Sequence, residues 1–146
     1  MTAIHTVIGR TVANIWLPAL ILSCVAFAPA VVLGQRATGD PWVAPERAAQ
    51  RTNPVPSDDG SVKSGRQLFE RNCLKCHGKA GHGDGPQAQF LNPTPSDLTS
   101  EAARGESDGA LFWKISEGRG LMPKLKLNDK ERWTLIRYLR ALQGKS

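Results

Sequence analysis

Cys73-Leu74-Lys75-Cys76-His77 is the stretch on which the reading of this chain turns. Two thiols three positions apart lie about one helical turn apart, on the same side of a helix end. Each can form a thioether to one of the two vinyl groups along one edge of a haem. His77, coming next, then falls under the porphyrin, where its imidazole reaches the iron from the proximal side. Rival chemistries need more than these five residues offer. A tetrahedral zinc site needs two further ligands, and His5 and His82 are the other histidines, with His77 and His82 crowding one short loop. A redox-active dithiol of the thioredoxin kind needs a βαβ setting, which the pattern here does not suggest. The spacing therefore points to haem c held by Cys73 and Cys76, with His77 as an iron ligand.

One axial position of the iron remains to be filled. Met122-Pro123 follows Gly118-Arg119-Gly120-Leu121, a stretch too rich in glycine for a helix and suited to a loop laid on a haem face. A thioether is a soft ligand that favours ferrous iron and raises the potential. His82 is the rival, but it lies five residues past His77, and reaching the opposite face requires the chain to double around the ring edge. Met122 as a mere filler of a core gap is the remaining reading. Met122 is the expected second ligand.

Working outward, three helices are expected around the motif. The first runs from about Val62 to Cys76 with Ser61 as N-cap, and Val62, Gly65, Phe69, Cys73 and Cys76 form its inward stripe. A middle helix covers about Gly109 to Glu117, begun by Ser107 or Asp108 and stopped by Gly118, with Leu111, Phe112 and Ile115 inside. The last runs from about Asp129 to Gln143, with Asn128 and Glu131 as a capping box and Gly144 at its end. Gly65 is expected to let the first helix approach the last closely. Residues 78–106 form a long loop. Its glycines Gly81, Gly83 and Gly85 have no preceding strand and do not read as a phosphate loop. They are expected to fold the backbone tightly around the haem edge, while Pro93 and Pro95 hold the following segment extended. A carbonyl nearby is expected to accept the His77 ring proton, without the sequence saying which.

The N-terminal part differs in kind. Residues 1–34 are mostly apolar with Arg10 as the one charged side chain, and Ile15 to Leu33 is an apolar run. A basic end before an apolar stretch reads as an export signal, cut after Ala30 or Gly34, or as a retained anchor. Ile21-Leu22-Ser23-Cys24 faintly resembles a lipoprotein processing site, although the residues after Cys24 stay apolar. Loss of residues 1–34 leaves the two motif cysteines and no spare thiol. Residues 35–60 carry Pro41, Pro45, Pro54 and Pro56 and read as a tether. Glu46 to Arg51 suits a short helical turn. The tether is either a loose linker or a strap packed on the domain, and Trp42 hints at packing. The organised haem domain is then residues 61–146.

Taken together, certain stretches resemble the class I mono-haem cytochromes c of the exported bacterial kind. They are Asn53-Pro54-Val55-Pro56, Gly65 with Phe69, Cys73-Leu74-Lys75-Cys76-His77-Gly78 and Gly83-Asp84-Gly85-Pro86. Further on come Pro95-Ser96-Asp97-Leu98, Gly118-Arg119-Gly120-Leu121-Met122-Pro123, Arg132-Trp133 and Tyr138-Leu139-Arg140. The likeness spans Asn53 to Leu142. A more distant likeness is to the small mono-haem subunits of membrane quinol-oxidising complexes. The resemblance implies a small all-α class I cytochrome c fold, with about three core helices wrapped around one covalent haem. It also implies packing of Gly65 and Phe69 on Tyr138, and Met122 as the distal ligand.

The implied function is one-electron transfer as a periplasmic carrier or relay, or as the haem subunit of a membrane-associated oxidoreductase complex. A haem enzyme or a gas sensor requires an open iron, which Met122 disfavours. The haem domain is basic, with 15 Lys and Arg against nine Asp and Glu from Ser61 onward. Lys124 and Lys126 are expected to ring the haem edge and attract redox partners with acidic surfaces, if they are more than ordinary solvated charges. Residues 15–33 offer membrane attachment. Nucleic acid is a remote partner for an exported protein.

Overall fold

The computed structural model describes residues 42–144. They form six α-helices: α1 (Glu46–Ala49), α2 (Asp59–Asn72), α3 (Leu74–His77), α4 (Glu101–Gly105), α5 (Asp108–Glu117) and α6 (Asp129–Leu142). A single 3-10 turn covers Ala88–Phe90, and no strand occurs among the described residues. The architecture is the all-α class I cytochrome c fold that the sequence implies.

Helix α6 is set by its first residues. Asn128 accepts from Glu131 N at 2.9 Å, and Glu131 reaches back to Asn128 N at 2.8 Å, closing the expected capping box. Its inner face, Trp133, Leu135, Ile136 and Leu139, is buried. Across it lies α2, which contributes Leu68 and the wholly buried Phe69. The two helices touch at Gly65, where a Cβ would collide with the Thr134 carbonyl and stand 2.8 Å from Tyr138 Cβ. The missing side chain is thus what lets two backbones meet and brings the Phe69 and Tyr138 rings to 5.3 Å.

Helix α5 completes the core with Leu111, Phe112 and Ile115. Ser107 caps its start and Gly118 its end, as the sequence suggests. Phe112 stacks on Trp133 at 4.3 Å between ring centroids. Beneath α5, the buried Arg140 of α6 donates to Asp108 Oδ1 at 2.7 Å and to the Glu106 carbonyl at 2.6 Å.

The first helix differs from the sequence reading in two ways. It begins at Asp59, because the extended Asp58, not Ser61, supplies the capping oxygen, accepting from Ser61 N at 2.7 Å. It ends at Asn72, and the motif forms a turn of its own in α3.

Of the two readings of the tether, the packed strap holds for residues 42–58. Trp42 meets Trp113 of α5 at 6.4 Å, and Ser107 Oγ donates to the Ala49 carbonyl at 2.6 Å. Asn53 donates to the Trp133 carbonyl at 3.0 Å, and Arg137 donates to the Val55 carbonyl at 2.7 Å. The Arg51 guanidinium lies 4.2 Å from the Phe112 ring centroid. The expected turn at Glu46 is α1. No described helix is long and apolar enough to cross a membrane. The apolar run 15–33, Cys24 and the expected cleavage positions lie outside the described residues.

Candidate haem-attachment site

The motif is built on a helix break. Cys73 ends α2, donating to the Phe69 carbonyl at 2.8 Å, and its own carbonyl accepts from Cys76 N at 3.1 Å and His77 N at 2.9 Å. Cys73 therefore belongs to both helices, as C-cap of α2 and N-cap of α3, with φ −118° and ψ −33°. Cys73, Cys76 and His77 are all half-buried, and both cysteines are unpaired thiols. Burial pushes the Cys73 thiol up to about 12, with Cys76 adding a smaller push in the same direction. Cys73 is thus a neutral thiol at physiological pH, unlike the thiolate a redox-active dithiol uses. Cys76 Sγ lies 3.7 Å from Gln87 Oε1 as a weak donor. No three His, Cys, Asp or Glu side chains converge as a metal-holding group among the described residues.

His77 Nδ1 lies 3.0 Å from the carbonyl oxygen of Ser96. A carbonyl only accepts, so the proton sits on Nδ1 and the lone pair on Nε2. Burial lowers the basicity of His77, and the bond to Ser96 partly opposes this. The result is a neutral imidazole, oriented, with one nitrogen ready to ligate. The acceptor left open by the sequence is Ser96.

The segment carrying that carbonyl is itself held. Gly83 N and Gly85 N donate to the carbonyls of His77 (2.9 Å) and Cys76 (3.1 Å), folding the glycine-rich loop over α3. Gly83 has φ +76°, and a Cβ there would run into the Pro95 carbonyl, one residue before Ser96. Asp97 Oδ1 accepts from Thr99 N and Thr99 Oγ1, both at 2.7 Å. These two bonds hold the Asp97 carboxyl below the usual carboxylate range. The exposed His82 ring turns toward this pair, with Nδ1 at 3.1 Å from Thr99 Oγ1.

Met122 sits on the turn expected for it. Arg119 and Met122 exchange backbone hydrogen bonds of 2.9 and 3.0 Å, and Gly118 and Gly120 both take positive φ. Leu125 N reaches the Ile115 carbonyl at 3.5 Å, bringing the loop back to α5. Met122 is half-buried and packs on the same core as Cys73, together with Leu74, Leu98, Leu125 and Leu127. The two halves of the expected site thus border one apolar core. Two unpaired, half-buried thiols, an imidazole in the right tautomer and a thioether on an apolar rim form a donor set that fits haem c. Sequence reasoning missed the Asp97–Thr99 pair, although an Asp two residues before a Thr in a proline-rich loop is a turn signal.

The helical arrangement and this site define a c-type cytochrome. Residues 60–139 match the family model "Cytochrome C oxidase, cbb3-type, subunit III", and the chain belongs to that family. It is 32% identical over 92 residues to the "Cbb3-type cytochrome c oxidase subunit FixPc" of Rhizobium leguminosarum bv. viciae. That match covers 62% of this chain and 31% of the relative, so the chain spans about a third of the relative's length. Among solved structures it resembles the Kuenenia stuttgartiensis reducing HAO-like protein complex Kustc0457/Kustc0458. The identity is 29% and the TM-score 0.54, over 61% of this chain and 46% of that one. Covalently bound haem c and haem-based electron transfer go with the family.

Proposed function

We propose that this chain is a mono-haem electron relay with His77 and Met122 as its two iron ligands. The observation that carries the reading is the 3.0 Å approach of His77 Nδ1 to the Ser96 carbonyl, which leaves Nε2 as the ligating nitrogen beside two half-buried thiols. Bound there, haem supplies a one-electron ferric–ferrous couple. Cys73 and Cys76 would hold it covalently, each thiol adding its S–H across one vinyl group without an oxidant. Ser96 orients His77 and strengthens it as a donor. Met122 would hold the iron opposite His77, and its thioether would favour the ferrous state. Leu74, Leu98, Leu125 and Leu127, packed on the same core as Cys73 and Met122, would shield the ring from water and so raise the potential. His82 turns its ring toward Asp97 and Thr99, and this supports Met122 over His82 as the second ligand.

With His77 and Met122 both holding the iron, no position would remain for a substrate, and the chain would act as a carrier and not as an enzyme. Lys75, Lys79 and Lys126 are exposed and make no ion pair among the described residues, whereas Lys124 pairs with Glu117 at 2.9 Å. The unpaired three suit an acidic redox partner. The likeness to oxidase subunits favours a relay within a membrane-associated complex over a freely diffusing carrier, with the haem domain on the periplasmic side and residues 15–33 as signal or anchor.

The test is intact-protein mass spectrometry of the chain matured in a host competent for haem c attachment. One haem adduct that survives acid–acetone extraction, and is lost in Cys73→Ala with Cys76→Ala, is the expected result. An adduct that washes out, or a second haem, contradicts the proposal.

A further inference from the structure

The C-terminal end of α6 reaches the far side of the loop that carries the Ser96 carbonyl. Gln143 is 4% exposed, and both ends of its amide are used. Nε2 donates to the Leu98 carbonyl at 2.8 Å and lies 3.5 Å from the Ala103 carbonyl, while Oε1 accepts from Arg140 Nη1 at 2.7 Å. Arg140 is fixed in turn by Asp108 Oδ1 and the Glu106 carbonyl. A cation on the amide oxygen polarises the group and makes its N–H the stronger donor.

Leu98 is gripped from the other side as well, since its N–H donates to the Gly81 carbonyl at 2.7 Å. Between Leu98 and Ser96 stands Asp97, whose side chain closes a turn on Thr99. With Leu98 pinned at both its N–H and its C=O, and Asp97 locked beside it, the Ser96 carbonyl has little freedom to move. That carbonyl has one partner of consequence, the His77 ring proton.

We infer that Gln143 is a positioning residue for the iron ligand, wiring the end of α6 through Leu98 to the Ser96–His77 hydrogen bond and thereby holding the reduction potential down. This rests on His77 ligation as proposed above. The sign follows from the chemistry of the imidazole. A firm Nδ1–H···O=C bond makes the ring a more basic donor and favours ferric iron. Loosening the acceptor weakens that bond and raises the potential.

The experiment uses the haem-loaded protein and two neutral substitutions. Gln143→Leu removes all three hydrogen bonds of the amide. Gln143→Asn keeps a buried amide beside Arg140 but is one methylene too short to reach Leu98, so it carries the test if Gln143→Leu does not take up haem. Asn128→Ala, which removes the exposed capping oxygen at the opposite end of α6, controls for loss of stability. Potential is read by redox titration, and solvent exchange of the His77 ring proton by proton NMR.

In the Gln143 variants the ferric–ferrous equilibrium is expected to shift about threefold toward ferrous, about 28 mV at 59 mV per tenfold for one electron. The His77 ring proton is expected to exchange faster, while Asn128→Ala melts earlier with the potential unchanged. Gln143 variants that melt earlier but keep the wild-type potential and exchange rate would overturn the inference and leave a purely structural glutamine. A wild-type protein whose His77 ring proton is absent from the paramagnetically shifted region would overturn His77 ligation, and this inference with it.

Discussion

Gly83 holds two parts of the site together through what it lacks. Its N–H bonds the His77 carbonyl, its φ is +76°, and a Cβ would meet the Pro95 carbonyl. Gly83→Ala is expected to cost about 1–3 kcal/mol in chemical denaturation and to lower the yield of haem-loaded protein; an unchanged midpoint and yield would contradict this. Asp97 gives a pH prediction. Its carboxyl titrates below the ordinary value of 3.8, through its bonds to Thr99. A depressed carboxyl stabilises the fold fully above its unfolded pKa and loses that contribution as pH falls through its folded pKa. The melting-temperature gap between wild type and Asp97→Ala should therefore be present at pH 6 and shrink as pH falls below 3.8; a gap that stays constant would contradict it. At this scale the sequence names the side chains that would carry the chemistry, Cys73, Cys76 and His77, and the structure gathers all three on one turn. Ser96 was not legible, because it acts through a backbone carbonyl that every residue possesses. Gln143 was hidden for a different reason. A glutamine near a helix end is ordinary, and its partner Leu98 lies 45 positions earlier.

Helix ends that are written in side chains were read to within a residue. Ser107, Gly118 and Asn128 cap α5 and α6 where the sequence put them. The start of α2 was displaced because Asp58 and Ser61 are both competent caps and the choice depends on which one is extended. Its break at Cys73 leaves no mark in the periodicity, since the stripe runs through. Helix α4, with five residues, is too short for any periodicity to show. Two element-scale predictions follow from the caps and contacts. Asn128→Ala removes the capping oxygen of α6 and should cost about 1 kcal/mol, seen as a melting temperature lower by about 4–8 °C. Gly65→Ala should also destabilise, by about 1–3 kcal/mol from overpacking, although alanine is the better helix former by about 1 kcal/mol. A stabilised Gly65→Ala would mean that α2 and α6 can part without loss.

Across the whole molecule, charge is arranged in two ways. Arg140 and Arg137 face Asp108 between α5 and α6, at 2.7 and 3.8 Å, where water is largely excluded. Arg140→Leu strands the Gln143 oxygen and leaves Asp108 only the more distant Arg137, and should cost about 3 kcal/mol in denaturation. Lys75 and Lys79, by contrast, stand free in solvent next to the thiols. Electron transfer to an acidic redox partner should slow as ionic strength rises, and Lys75→Glu with Lys79→Glu should both slow it and flatten that dependence in stopped-flow measurements. A rate indifferent to salt would contradict an acidic docking face. The class of fold was legible at this scale because one five-residue motif demands it. The packing of the strap was not, since composition alone does not distinguish a loose proline-rich linker from one whose carbonyls are taken by Ser107 and Arg137 and whose Asn53 donates to the Trp133 carbonyl.

The central claim is that His77 and Met122 close both faces of the iron. The visible spectrum of the ferric and ferrous protein, recorded with and without carbon monoxide, tests it most directly. The account predicts a low-spin ferric spectrum with the weak far-red band of methionine ligation, no response to carbon monoxide, and loss of both properties in Met122→Ala. A high-spin spectrum in the wild-type protein that shifts at once on adding the gas would contradict it.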